Sequence, residues 1–205
     1  MDYNKLASED VIKKTVAALE DRGVEVIIVD SAEKALKNII SLIPKGSSIM
    51  NGSSTTLRQI GFIDYLKVGN HKWNNLHEAV LAEKDETKQA ALRQHSVLSD
   101  YYLGSVHALA ETGEYLVASN TGSQLPHIAY TSNHLILVIS TKKITPTLAD
   151  AYRRLTEHVV PLEDARMQEA YGFGTQLNKI LVVNGENSSS GRKIVMILVK
   201  ENLGY

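Results

Sequence analysis

Four short segments of this 205-residue chain hold residue types able to bind or transform a small polar ligand. The first is Met50-Asn51-Gly52-Ser53-Ser54-Thr55-Thr56-Leu57-Arg58-Gln59-Ile60-Gly61. Here a short strand delivers Gly52, Ser53, Ser54 and Thr55 to the start of a helix, where unpaired N–H groups and hydroxyls can hold an anion. The plainer alternative is that Ser54 or Thr55 only caps that helix. The GxxxxGK[ST] spacing is absent, so this is not an ATP-type phosphate loop. The second segment is Ala110-Glu111-Thr112-Gly113-Glu114 followed by Asn120-Thr121-Gly122-Ser123-Gln124, two glycine turns bracketing a strand-like stretch. It reads either as a plain hairpin and a capped helix, or as a turn at the carboxyl edge of a sheet, where open α/β sheets bind ligands. In the second reading Glu111, beside Thr112 and Gly113, is the candidate catalytic carboxylate, as base, nucleophile or acceptor. Thr112, Gly113, Asn120, Thr121, Gly122 and Ser123 are then ligand-binding candidates. The third segment, Thr141-Lys142-Lys143-Ile144, leaves an apolar strand; Lys143 is either placed to offset an anionic ligand or an ordinary solvated lysine. The last, Gly191-Arg192-Lys193, reads as a hairpin with exposed cations. The expectation that joins these segments is that the bends at Gly52, Gly113 and Gly122 converge on one anion-friendly hollow.

The elements that must position them follow from periodicity and punctuation. Ser8 caps a helix over about residues 8–22, with Val11, Ile12, Val16 and Leu19 at helical spacing. Gly23 stops it, Val24 to Val29 is a strand, and Asp30 with Glu33 forms a capping box for a helix through Leu42. Ser48 to Asn51 is a second strand, and Thr55 to Ile60 opens a helix. Asn74 to Leu98 reads as one long amphipathic stretch with a charged middle, Glu83 to Lys88. Tyr101 to Leu109 and Tyr115 to Ala118 are strands, and Leu135 to Ile139 is the clearest buried strand. Thr145-Pro146 is an Ncap–N1 pair for a helix through about His158. Ile180 to Val183 and Ile194 to Val199 are the closing strands. This succession of βα units predicts a three-layer α/β/α fold with a mainly parallel sheet, in a single domain over 1–205.

Composition narrows the function classes. Hydrophobic residues make up 43% and charged residues 22%, in the globular range. The net charge of −1 gives no global field for nucleic acid or an anionic membrane. Cysteine is absent, which excludes disulfides, thiolate nucleophiles and an iron–sulfur cluster held within this chain. The polar stretch from Met1 to Lys14 does not read as a secretory signal, and apolar runs fall well short of the roughly 20 residues that span a bilayer. The expected compartment is the cytoplasm. Histidines 71, 77, 95, 107, 127, 134 and 158 show no metal-binding spacing and read as structural, so no metal is expected. No GxSxG elbow supports a serine triad, and Trp73 reads as a packing anchor.

Taken in order, these segments resemble the LUD-domain (lactate-utilisation, LutC-like) family. Gly52 to Gly61 (GSSTTLRQIG) is similar to its G-x-S-x-T-L-x-x-I-G segment, and Tyr102 to Leu109 with Glu111-Thr112-Gly113 resembles its following E-x-G stretch. Asn120 to Gln124 falls where the family often has G-T-G-N-R. Lys143-Ile144 resembles its "nKIv" segment, and Gly191-Arg192 with Leu203-Gly204-Tyr205 its "GRi … LGF" ending. The resemblance covers about residues 5 to 205. It implies the fold of the NagB, ribose-5-phosphate isomerase and CoA-transferase group, and work beside the iron–sulfur and oxidase subunits of lactate oxidation. Many relatives carry a cysteine cluster where this chain has Met167 to Asn178 without cysteine, which weakens any cluster-linked role.

Three functions stay open on the sequence. One is an accessory or regulatory component of organic-acid utilisation that binds a small anionic metabolite. Another is an acyl-CoA transferase or phosphosugar isomerase using Glu111, with Ser53, Ser54 and Thr55 holding the phosphate or carboxylate. The third is an interaction module whose loops hold no ligand. The cofactor, the ligand's identity and the oligomeric state, a homo-oligomer included, are left open.

Overall fold

Strands buried on both faces need unbroken apolar runs, and those runs become the middle of the main sheet. The computed structural model describes residues 2–205. The chain runs α1 (Glu9–Glu20), β1 (Val24–Val29), α2 (Ala32–Leu42), β2 (Ser48–Asn51), α3 (Thr55–Gln59), α4 (Phe62–Val68), β3 (Asn74–Asn75), α5 (Leu76–Ala82) and α6 (Glu86–His95). It continues through β4 (Tyr101–Gly104), β5 (Ala108–Ala110), β6 (Tyr115–Ser119), β7 (His134–Ser140), β8 (Ile144–Thr145), α7 (Leu148–Arg154), α8 (Val160–Tyr171), β9 (Lys179–Val183) and β10 (Lys193–Val199). Six strands form a parallel sheet in the order β1-β10-β7-β4-β2-β3. A smaller mixed sheet has the order β8-β5-β6-β9.

Alternation along the central strands separates two cores. Ile136 and Val138 of β7 and Val195, Ile197 and Val199 of β10 meet Ala35 and Ile39 of α2, Leu57 of α3, and Phe62 and Leu66 of α4. Leu135, Leu137, Ile139, Ile194, Met196 and Leu198 face the other way, onto Ile12 and Leu19 of α1 and Leu109, Tyr115 and Val117 of the small sheet. The outer face of that sheet (Ala108, Leu116, Ala118) packs on Ala151, Leu155 and Val159 of the α7–α8 rod. This is the expected α/β architecture, a mainly parallel sheet between helical layers, with a second sheet added to one layer. Trp73 is the expected anchor: it is buried against Phe62, and its indole N–H donates to Ile43 O at 3.2 Å.

Several boundaries differ from the sequence reading. Tyr101 to Leu109 is two strands, not one; Ser105 to His107 carries the chain from the large sheet to the small one. Asn74 to Leu98 breaks at Glu83–Asp85, where Asp85 accepts from Lys88 N and caps α6, a helix that fully buries none of its residues. The cap of α7 is Thr147, whose hydroxyl accepts from Asp150 N, whereas Thr145 pairs with Ala110 in the small sheet. The helix does not end near His158; a wide π-type turn, Leu155–Val159, carries it into α8. Ser31, rather than Asp30, caps α2 by accepting from Lys34 N.

The largest departure is Arg192. It does not sit exposed in a hairpin, because β9 and β10 enter different sheets. Its side chain is 7% exposed and pairs with Glu186 at 2.7 Å. It donates to His127 O at 3.0 Å, Ile128 O at 3.1 Å, Ala129 O at 3.2 Å and Ser132 O at 3.1 Å. Those carbonyls belong to the π-type turn His127–Thr131 and the residue after it. A helical end leaves carbonyls without partners, and the planar guanidinium fork supplies donors to several at once.

Candidate functional site

Parallel strands β2, β4 and β7 lie side by side, so their carboxyl ends open on one edge of the main sheet. From those ends the chain places Gly52 to Thr56, Ser105 to His107 and Lys143 around a cleft of about 760 Å³. The turn after β6 adds Asn120, Thr121 and Ser123, and α8 with the segment after it forms the remaining wall. Thus Gly52, Ser53, Ser54, Thr55, Asn120, Thr121, Ser123 and Lys143 line one cleft, with Gly122 in the same turn.

Glu111, Thr112 and Gly113 lie elsewhere. Antiparallel pairing of β5 with β6 puts the Gly113 turn and the Asn120–Ser123 turn at opposite ends of β6. A five-residue strand separates its ends by roughly 14 Å. Glu111 pairs with Lys14 of α1 at 2.8 Å, and Thr112 O accepts from Arg22 Nε at 2.7 Å. A Cβ on Gly113 (φ +96°) would stand 2.7 Å from the Arg22 side chain, so this turn needs glycine for packing against α1. The expected convergence therefore holds geometrically for the bends at Gly52 and Gly122, not for Gly113.

Lys143 forms the floor. It is 4% exposed, and its Nζ donates at 3.1 Å to Thr56 Oγ1, Ser105 Oγ and Val106 O. Burial, with Arg154 and Lys142 nearby, holds the amine well below its ordinary pKa. Lys142 donates to Gly204 O at 2.8 Å, and Arg154, fully buried, donates to His107 O and to Tyr205 O at 2.7 Å. Among the described residues none of these three cations is ion-paired to a side-chain carboxylate. A buried cation without a counter-ion is costly, and a bound anion would remove that cost. The cleft lining holds Lys143, Arg93 and Arg166 against one side-chain carboxylate, Glu163, which Arg166 already engages at 2.6 Å.

His107 is the neutral member of the wall. Its Nδ1 accepts from Ala118 N at 3.1 Å, so the proton resides on Nε2. Burial, then Lys143 and Arg154, push its pKa down to about 3. The unfolded chain takes up this proton near pH 6.5 and the folded chain only near 3, so stability falls as pH drops between them. At pH 5 His107 alone costs about 2 kcal/mol relative to pH 8. His107→Asn, which keeps an acceptor near the Nδ1 position, is expected to lose less stability on acidification by that amount. Urea unfolding at pH 8 and pH 5 measures it; equal losses in both proteins would refute the assignment.

Gly204 lies against this floor. With φ +68° it adopts a backbone that favours glycine, and an added Cβ would overlap Thr56 Oγ1 and stand 2.8 Å from Lys143 Nζ. Gly204→Ala should lower stability by about 1–2 kcal/mol for the backbone alone and weaken any ligand held by Lys143. Denaturant melts and ligand titration on the same sample test both effects.

Sequence reasoning missed Thr56, Ser105, His107, Arg93, Arg166 and the aromatic pair Tyr171 and Phe173. Ser105 and His107 stood inside a quoted motif but looked like alternate positions of one strand. Only the switch between sheets turns them to the cleft. Among the described residues no three His, Asp or Glu side chains group as a metal site. No helix there is long and apolar enough to cross a membrane.

Comparison with known proteins agrees with this architecture. No curated protein matches the chain. Among solved structures, the crystal structure of a DUF162 family protein from Deinococcus radiodurans superposes with a TM-score of 0.58 at 13% identity, covering 95% of this chain and 99% of that one. At that identity the likeness speaks to the fold alone. The model of the LUD domain matches residues 12–201, nearly the whole length, and the chain belongs to the LUD domain family.

Proposed function

We propose that the cleft binds a small anionic metabolite, and that the protein is an accessory or regulatory component of organic-acid, lactate-type, utilisation. The observation that carries this reading is Lys143: a buried cation on the floor of an open cleft, beside two hydroxyls and, among the described residues, paired with no side-chain carboxylate. The hydroxyls of Ser53, Thr55, Thr121 and Ser123 and the Asn120 amide supply further polar contacts on the cleft walls. Membership in a family named for lactate utilisation supports the metabolic setting, with iron–sulfur and oxidase subunits as the partners to look for. An acyl-transfer or isomerase mechanism resting on Glu111 loses its geometric premise, because that carboxylate is spent on Lys14 away from the cleft.

A thermal-shift series with lactate, inorganic phosphate and a sugar phosphate tests the reading. At 100 times its dissociation constant a ligand adds about 2.7 kcal/mol. In a domain of this size that raises Tm by roughly 5–11 °C. Stabilisation by at least one anion, absent in Lys143→Met, is expected. A flat response to all three would favour an interaction module without a ligand.

A further inference from the structure

The cleft has room for more than a three-carbon acid. Its 760 Å³ lies in the roughly 300–1,000 Å³ range of cavities that take drug-sized ligands.

Part of the lining is aromatic and uncovered. Tyr171 and Phe173 both line the cleft, yet they are 62% and 58% exposed. Their rings are stacked, with centroids 5.9 Å apart and planes 29° from parallel. Gly172 between them ends α8 at φ +76°. No atom lies within 4 Å of the position its Cβ would take, so glycine is there for the backbone reversal rather than for room. The two rings lie against each other across that reversal. α8 fully buries none of its residues, so the pair is not a remnant of core packing. Two adjacent aromatic rings left exposed in the lining of a polar cleft are a stacking platform for a planar ring. Beside them Gln176 lines the cleft, and its side-chain amide makes no hydrogen bond among the described residues; it offers a donor and an acceptor to the edge of a ring.

We infer that the ligand is a nucleotide: a phosphate-bearing molecule whose planar base rests on Tyr171 and Phe173 while its anionic end reaches the Lys143 floor. This rests on the anion reading above and names its ligand class. Arg93 also lines the cleft and suits a phosphate, Arg166 there is already held by Glu163, and the hydroxyls of Thr121 and Ser123 suit a sugar.

Calorimetric titration of the full chain with pyrophosphate, adenosine 5′-diphosphate and flavin mononucleotide tests it. The first probe carries phosphate without a ring; the other two carry different rings. In the wild type at least one nucleotide should bind tenfold or more tighter than pyrophosphate, and the tighter of the two identifies the ring. The Tyr171→Ala/Phe173→Ala double variant should fold normally, since both side chains are exposed, and should lose that excess while binding pyrophosphate as before. Pyrophosphate binding as tightly as both nucleotides would overturn the ring subsite and leave the anion site standing. Pyrophosphate binding equally to wild type and Lys143→Met, or to neither, would instead remove the anion reading on which the inference rests.

Discussion

Lys143→Met is expected to fold at least as stably as the wild type while its affinity for anions falls a hundredfold or more. The wild-type amine is buried, held below its ordinary pKa by desolvation and by Arg154 and Lys142, and lacks a carboxylate partner. Methionine keeps the unbranched apolar stem, one atom shorter, and removes the charge. The loss is one donor to Val106 O, about 1–3 kcal/mol if that carbonyl stays unpaired, while Thr56 and Ser105 can turn their hydroxyls toward each other or toward water. The gain is relief from desolvating a cation, a penalty of several kcal/mol. The second term is the larger, so stability should hold or rise by about 1 kcal/mol. A hundredfold loss of affinity is about 2.7 kcal/mol. This opposition separates a ligand-binding lysine from a structural one. A lysine kept for its three internal hydrogen bonds would show the reverse: a lower urea midpoint and unchanged binding.

Arg192→Ala should be the most destabilising single change considered, about 3–5 kcal/mol. Removing one partner of a buried ion pair leaves Glu186 uncompensated, and that alone accounts for this range. The carbonyls of His127, Ile128, Ala129 and Ser132 lose their donor at the same time. The His127–Thr131 turn follows directly on the Asn120–Gln124 wall, so the damage should reach the cleft. Amide hydrogen exchange over residues 120–132 should rise more than over β1 and β10. Arg192→Lys, with one compact charge and no planar fork, should recover only part of the loss. A denaturation midpoint for Arg192→Ala within 1 kcal/mol of wild type would show that the clamp is dispensable.

Much of the parallel sheet was legible because Leu135–Ile139 and Ile194–Val199 carry their own evidence, β-rich residues apolar on both faces, and the edge strand Val24–Val29 departs from it only at Glu25. The caps at Ser8 and Ser54 were legible for a similar reason, since a hydroxyl three residues before an N–H needs only local geometry. Half of the cleft could be read because Gly52 to Thr55 and Lys143 each follow a strand of that sheet. What failed was what depends on a partner distant in sequence. Lys143 and Arg192 look like solvated cations until Thr56, Ser105 and the 127–132 carbonyls are brought to them. His107 reads as one more strand residue until the chain changes sheets at Ser105. The error at Glu111 was avoidable: two turns that bracket one strand stand at its opposite ends, so Gly113 and Gly122 could not meet.

A charged Lys143 that receives an anion is the feature from which the rest follows, and phosphate titrated calorimetrically into wild type and Lys143→Met at two pH values tests it most directly. Only the protonated amine attracts phosphate, and burial lowers the pH at which the proton is lost. The wild type should therefore bind more weakly as pH is raised through that lowered pKa, and Lys143→Met should bind at least a hundredfold more weakly at the lower pH. Equal affinity in the two proteins at both pH values would contradict the account.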